Sequence, residues 1–322
     1  SWGDYSKAIE FLKSALEQNK DNEIAMYELA FCFEITSRFD ESLLYYQQFI
    51  DREPYSASAW YNLGNVHNRL GKFNEAIEAY DYCILIKEDF SSAYFNKANT
   101  LANNGQYKEA IDHYHKTFEF EPPDALTFYN IGECYEQLEE PVKAREFYRK
   151  ATKFNPNLAE AWLGIGISLQ NEERWFEALH YIKKAIEIDA DHVESWFALG
   201  EAEFNLENYS NAEVAFKKVL EIEPENIDIR LEYSHLLMQE QREDEAILMI
   251  TEGLELHPDN AEYLYRLVCY QFLNKQIKQA YLSLQTALEV HPTEYNHMYE
   301  YMPELINDKQ IVTLIDLYKY NN

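Results

Sequence analysis

Glycine and proline are scarce, nine of each in 322 residues. That excludes a flexible linker or a low-complexity tract of any length. Basic residues are outnumbered, 28 Lys and Arg against 57 Asp and Glu, for a formal net charge of −29. Phosphate neutralisation needs a basic face, so nucleic acid is not an expected partner. No stretch approaches the ~20 apolar residues of a membrane span. Cysteine is limited to Cys32, Cys83, Cys134 and Cys269, and no pair of them has metal-ligand spacing. Unpaired cysteines favour a reducing compartment, which leans the location toward the cytoplasm. There is no glycine-rich phosphate loop and no zinc-protease helix motif. The histidines are dispersed, with His257 and His291 each just before a proline. No enzymatic activity, metal or cofactor is therefore expected.

What the chain has is a period. Eight units of 34 residues run from Glu23 to Glu294 without insertion or deletion. With Glu23 as position 1, position 20 reads Ser42, Ala76, Ala110, Ala144, Ala178, Ala212, Ala246, Ala280. Position 8 is mostly small: Ala30, Gly64, Ala98, Gly132, Gly166, Gly200, Ser234, Val268. Position 4 is mostly large, with Trp60, Trp162 and Trp196 among its members. Small residues at 8 and 20 let two antiparallel helices approach closely. Proline at position 32 in six units cannot continue a helix and ends the second of the pair. Gly71 and Gly105, at position 15, suit the turn between the helices.

Ala57–Phe90 carries the clearest copy, with Trp60, Leu63-Gly64, Ala76 and Tyr80. In these residues the chain resembles the tetratricopeptide repeat family over nearly its whole length. Arg230 and Leu264 at position 4, and Val268 at position 8, depart from the family pattern. The resemblance implies an all-α, right-handed superhelix of helix-turn-helix repeats, a solenoid in which each unit touches its neighbours. Residues 1–22 then read as a partial repeat holding only a second helix, Tyr5–Gln18, with Gly3-Asp4 in the turn before it. Such a start suggests a piece of a longer protein. Residues 295–322 read as a degenerate repeat: a first helix over Tyr295–Met302 stopped by Pro303, then a capping helix over Lys309–Tyr320 with an apolar stripe at helical spacing.

In this family the first helices line a concave groove, with positions 2, 5, 9, 12 and 13 facing it. The groove divides into two zones. In the first, Asn62, Asn96 and Asn130 stand at position 6, Asn65 and Asn99 at position 9, and Tyr61, Phe95 and Tyr129 at position 5. Asparagine offers both a donor and an acceptor. The series resembles the asparagine ladder of the O-linked N-acetylglucosamine transferase superhelix, which holds peptide backbone. The same asparagines also fit a framework role, because Tyr61-Asn62-Leu63-Gly64-Asn65 is close to the family average. In the second zone acidic and apolar residues alternate: Glu194, Phe197, Glu201, Phe204, Asp228 and Glu232 suit a basic and apolar segment. Cys32, Cys83 and Cys134 fall at small, packed positions; Cys269, at position 9, is expected to face the groove. The family's clamp for a C-terminal carboxylate is missing its cations: Tyr61, Leu126 and Asn130 stand where it has Lys or Arg. The expected function is binding of a peptide or helical segment of a partner protein. The alternatives are a structural scaffold in a larger assembly, or a regulatory arm of an enzyme. Oligomeric state is not legible.

Overall fold

The computed structural model describes residues 2–319, all helices and turns with no strand among them. Trp2–Gln18 (α1) comes first. Eight helix pairs succeed it: Glu23–Ile35 and Phe39–Ile50 (α2, α3), Ala57–Arg69 and Phe73–Ile86 (α4, α5), Ser91–Asn103 and Tyr107–Thr117 (α6, α7), Ala125–Gln137 and Pro141–Phe154 (α8, α9), Ala159–Gln170 and Trp175–Ile188 (α10, α11), Val193–Asn205 and Tyr209–Ile222 (α12, α13), Ile227–Gln239 and Glu243–Leu256 (α14, α15), and Ala261–Leu273 and Ile277–Val290 (α16, α17). Asn296–Tyr301 (α18), a 3-10 turn at Pro303–Asn307 and Lys309–Lys319 (α19) end the described chain. Each pair begins 34 residues after the one before it. The fold is that of an all-α helical-repeat solenoid. No helix among the described residues is long and apolar enough to cross a membrane. Two compact units are present, one ending at Ser168 and the other beginning at Leu169.

Every turn within a pair has the same backbone. Position 15 takes a left-handed conformation in all eight, at Ser37, Gly71, Gly105, Glu139, Glu173, Glu207, Gln241 and Lys275, with φ from 57° to 77°. The next amide donates to the carbonyl five residues back, as in Arg38 N to Phe33 O (2.8 Å) and Asn208 N to Glu203 O (2.8 Å). This closes the last helical turn and satisfies carbonyls that the helix end would orphan. The two glycines anticipated the geometry; six other residues are held in it. At the helix starts, Asn22, Ser56, Asp124, Asn226 and Asn260 cap through their side chains.

The core explains the small positions. Position 8 lies beneath the side chain at position 24 of the second helix. A Cβ added at Gly64 would meet the Tyr80 ring at 2.7 Å, and one at Gly132 would meet Tyr148 at 2.6 Å. Where position 8 grows to Ser234 or Val268, position 24 shrinks from aromatic to Ile250 or Leu284. The exchange is not a fixed rule of volume, since the fifth unit pairs Gly166 with Ile182. The Trp60 indole donates to Pro54 O (2.9 Å) and the Trp162 indole to Pro156 O (2.9 Å). Arg230, which breaks the tryptophan pattern, donates to Pro224 O in the same way (2.9 Å).

Three expectations about the ends are corrected. Gly3-Asp4 is helical rather than a turn, because α1 already begins at Trp2 and runs through both residues. The helix expected over Tyr295–Met302 is shorter, Asn296–Tyr301, because Met302 leaves the helical conformation and Pro303 opens the 3-10 turn. Cys269 does not face a groove: it is fully buried, its thiol 3.6 Å from Met298 O of α18. The capping helix runs from Lys309 to Lys319, and Tyr320 lies outside the described residues.

Candidate functional site

In the first unit the asparagines form a bonded series between successive first helices. The Asn62 amide donates to Tyr27 Oη (2.9 Å). Asn96 donates to Tyr61 Oη and to Asn65 Oδ1, both at 2.9 Å. Asn130 donates to Asn99 Oδ1 (3.2 Å). From the second helices, Tyr80 donates to Asn65 Oδ1 (2.8 Å) and Tyr114 to Asn99 Oδ1 (2.6 Å). A rung therefore consists of a tyrosine hydroxyl, a position-9 asparagine and the position-6 asparagine of the next pair. The Oδ1 atoms of Asn62, Asn96 and Asn130 accept no hydrogen bond among the described residues. Framework and exposed acceptor are thus two ends of one side chain.

Tyr61, Phe95 and Asn96 come together on a cavity of about 280 Å³. It opens where α7 stops at Thr117, earlier in its unit than the other second helices, and Glu121-Pro122 crosses the gap. Tyr129 is not on this cavity. Its ring lies 5.6 Å from that of Tyr148, and its hydroxyl donates to Glu133 (2.7 Å). Burial pushes the Glu133 carboxyl above its usual range, the Tyr129 hydroxyl opposing.

In the second unit Glu201, Phe204 and Glu232 share a cavity of about 320 Å³ with His235, Arg266 and Tyr301. Burial, then the neighbouring Glu232, pushes Glu201 up to about 7. Glu232 is exposed as a residue, but desolvation at the cavity wall still raises it, Arg266 opposing and Glu262 and Asp228 adding. Arg266 is paired with Glu262 (3.0 Å) and lies 4.2 Å from the centre of the Tyr301 ring. The Tyr301 hydroxyl meets His235 Nδ1 at 3.2 Å. Burial and then Arg266 depress the His235 imidazole below its usual range. Glu194 and Asp228 are exposed and do not line this cavity; Phe197 packs against the core beside it.

Ser91, Glu121 and Tyr301 were missed by the period. Ser91 comes directly after Phe90, which stands at a position where other units carry a capping side chain, and that substitution was the available signal. Tyr301 comes from outside the periodic region, 66 residues from His235, and no spacing announces it.

The family described as cilia and flagella-associated protein 70 C-terminal domain matches residues 7–267. Among solved structures, the C-terminal part of a TPR repeat-containing protein from Cytophaga hutchinsonii superposes with a TM-score of 0.59 at 18% identity, covering 70% of this chain and 93% of that one. PilF of Pseudomonas aeruginosa gives 0.55 at 18% identity, covering 67% and 97%. The Cut9–Hcn1 hetero-tetramer of the APC/C gives 0.55 at 17% identity, covering 80% and 50%. No curated protein matches the chain. At these identities the structural likeness is one of fold, and with the family match over most of the length it places the chain in the family of the cilia and flagella-associated protein 70 C-terminal domain, a tetratricopeptide repeat family.

Proposed function

We propose that this chain is a protein-interaction module that holds a segment of a partner protein against its first helices. Residues 23–294 act as eight repeats, preceded by a partial one at 1–22 and closed by 295–322. Tyr61, Asn62, Asn65, Phe95, Asn96, Asn99, Tyr129 and Asn130 form one contact zone. Glu194, Phe197, Glu201, Phe204, Asp228 and Glu232 form the other. The observation that carries the reading is that each zone contributes three of its residues to a cavity walled by aromatic rings and open carboxylates. Such a wall suits a basic and apolar segment. The buried, free thiols fit a reducing compartment.

The test is a peptide selection on the purified chain, and then affinity measurements on two variants. One has Asn62, Asn96 and Asn130 changed to Ala; the other has Glu194, Glu201, Asp228 and Glu232 changed to their amides. Basic and apolar peptides should be enriched, and their affinity should fall with salt, since exposed charges are screened. Parental binding by both variants at low and at physiological salt would overturn the reading. A scaffold role is the second reading. It is favoured by Val214, Leu248 and Leu282, which are 62%, 56% and 63% exposed at one position of α13, α15 and α17.

A further inference from the structure

The cavity of the first unit lies in the zone whose asparagines suit peptide backbone. Its walls suit a side chain. Two aromatic residues, Tyr61 and Phe95, line it. Ser91, only 6% exposed, also lines it, and its hydroxyl has no hydrogen-bond partner among the described residues. The hydroxyl borders the cavity rather than being sealed from solvent, so a ligand donor that reaches it takes the place of water. The Oδ1 of Asn96 is likewise open, its amide nitrogen being bound to Tyr61 and Asn65. At the mouth stands Glu121, an exposed carboxylate with no cation paired to it among the described residues. Asp124 adds a second negative charge while capping α8. No Lys, Arg or His lines the cavity.

This inventory is one of acceptors and ring faces. An anion has no reason to enter. An ammonium would satisfy the charge, but it is a compact, strongly hydrated donor. A guanidinium is flat, weakly hydrated and forked, so it can lie on an aromatic face while bonding several separated acceptors. We propose that this cavity takes the guanidinium of one arginine of a partner protein, stacked at Tyr61 and Phe95 and bonded to Glu121, Asn96 Oδ1 and Ser91 Oγ. The proposal deepens the peptide-binding reading and rests on it.

The probe is Nα-acetyl-arginine N-methylamide, titrated into the full chain and monitored by amide chemical shifts. The citrulline analogue, which has the same shape without the charge, and the lysine analogue serve as comparisons. Saturable shifts centred on Ser91, Phe95 and Thr127 are expected with arginine. Citrulline should give none, and lysine should bind at least about fivefold more weakly. Glu121→Gln should weaken the arginine probe about tenfold, and Ser91→Ala about threefold, with melting temperatures unchanged. Absence of saturation up to the solubility of the probe overturns the proposal. So does equal binding of citrulline or lysine, or parental affinity in Glu121→Gln. If the probe fails while selected peptides still respond to the four-carboxylate variant, the pocket falls and the broader reading stands.

Discussion

Gly132→Ala should destabilise the protein, although alanine is the better helix former. Gly132 lies inside α8, where replacing glycine by alanine would ordinarily gain about 0.8–1 kcal/mol. Here the new methyl would lie 2.6 Å from Cδ1 and Cε1 of Tyr148. The ring cannot retreat, because a Cβ built at Gly164 on its other side would be only 2.7 Å from Cε2. Two glycines on α8 and α10 therefore clamp a ring that is 1% exposed, and Glu136 fixes its hydroxyl at 2.6 Å. Overpacking a rigid site costs ~1–3 kcal/mol, and a ring held on both faces belongs at the upper end. After the propensity gain the net loss is about 2 kcal/mol.

Thermal unfolding monitored by far-ultraviolet circular dichroism is the assay. With an unfolding entropy of ~2.1 cal/mol/K per residue, the midpoint should fall about 3 °C if the whole chain melts together, or about 6 °C if the unit ending at Ser168 melts by itself. In a Tyr148→Leu background the obstacle is gone, and Gly132→Ala should then raise stability by about 1 kcal/mol. A rise in the midpoint of the parental chain on Gly132→Ala would refute the packing argument. So would an equal loss in both backgrounds, since the two sites would not be coupled.

Glu207→Gly should stabilise: a left-handed backbone costs a non-glycine residue ~1–2 kcal/mol, against ~0.4–1 kcal/mol for the looser unfolded chain, and φ is 60° here. Equilibrium urea unfolding should show the gain. Gly71→Ala, where φ is 69° with nothing within 4 Å of an added Cβ, should show a loss from backbone strain alone. Glu201→Gln should raise the melting temperature at pH 8 and leave it nearly unchanged at pH 5. The folded carboxyl titrates near 7 and the unfolded one near 4.5, so the folded state holds a proton that the unfolded state has lost in between. Stability attributable to Glu201 therefore falls as pH rises through that window, and no change in the pH profile on substitution would contradict its placement. Arg230→Trp should be tolerated, because an indole can donate to Pro224 O as Trp60 does to Pro54 O. Arg230→Leu should lose about 1–2 kcal/mol by denaturant titration, since it removes the donor.

Periodicity made the helix pairs legible because packing recurs: Ala76 and Ala110 stand where each contact must be tight, and the helices obey that spacing. It could not announce the left-handed turns at Glu139, Glu173 or Lys275. The motif is set by the hydrogen bonds of the helix end, and only glycine advertises it in a sequence. The second-unit cavity was half legible. Glu201, Phe204 and Glu232 come from the face of a helix, while Tyr301 is brought in by α18, whose position depends on how the repeat series ends. Cys269 departs from expectation for the same reason, since a position that faces a groove in an interior repeat is covered in the last one. Ser91 and Glu121 depended on an early helix end at Thr117, a local departure from the period rather than an expression of it.

On the proposed reading, the asparagine series acts through what it leaves over. A primary amide has two donors and one acceptor oxygen, and here both donors of Asn96 and one each of Asn62 and Asn130 are directed at the preceding helix pair. Their oxygens remain. A partner passing over them can be bound through N–H groups at all three oxygens, whereas for its carbonyls Asn62 and Asn130 keep one N–H each and Asn96 keeps none. Both cavities push the same way, because Glu121 in one and Glu201 and Glu232 in the other are acceptors when ionised. In the second cavity Arg266 is already paired with Glu262, which leaves the excess negative. A surface that mainly accepts selects a partner that mainly donates. Arginine and lysine supply such donors without adding an acceptor to the side chain. On the proposed reading the net charge of −29 has a directed component: it would draw a basic segment toward the chain, and the open oxygens and ring faces would decide how that segment is held.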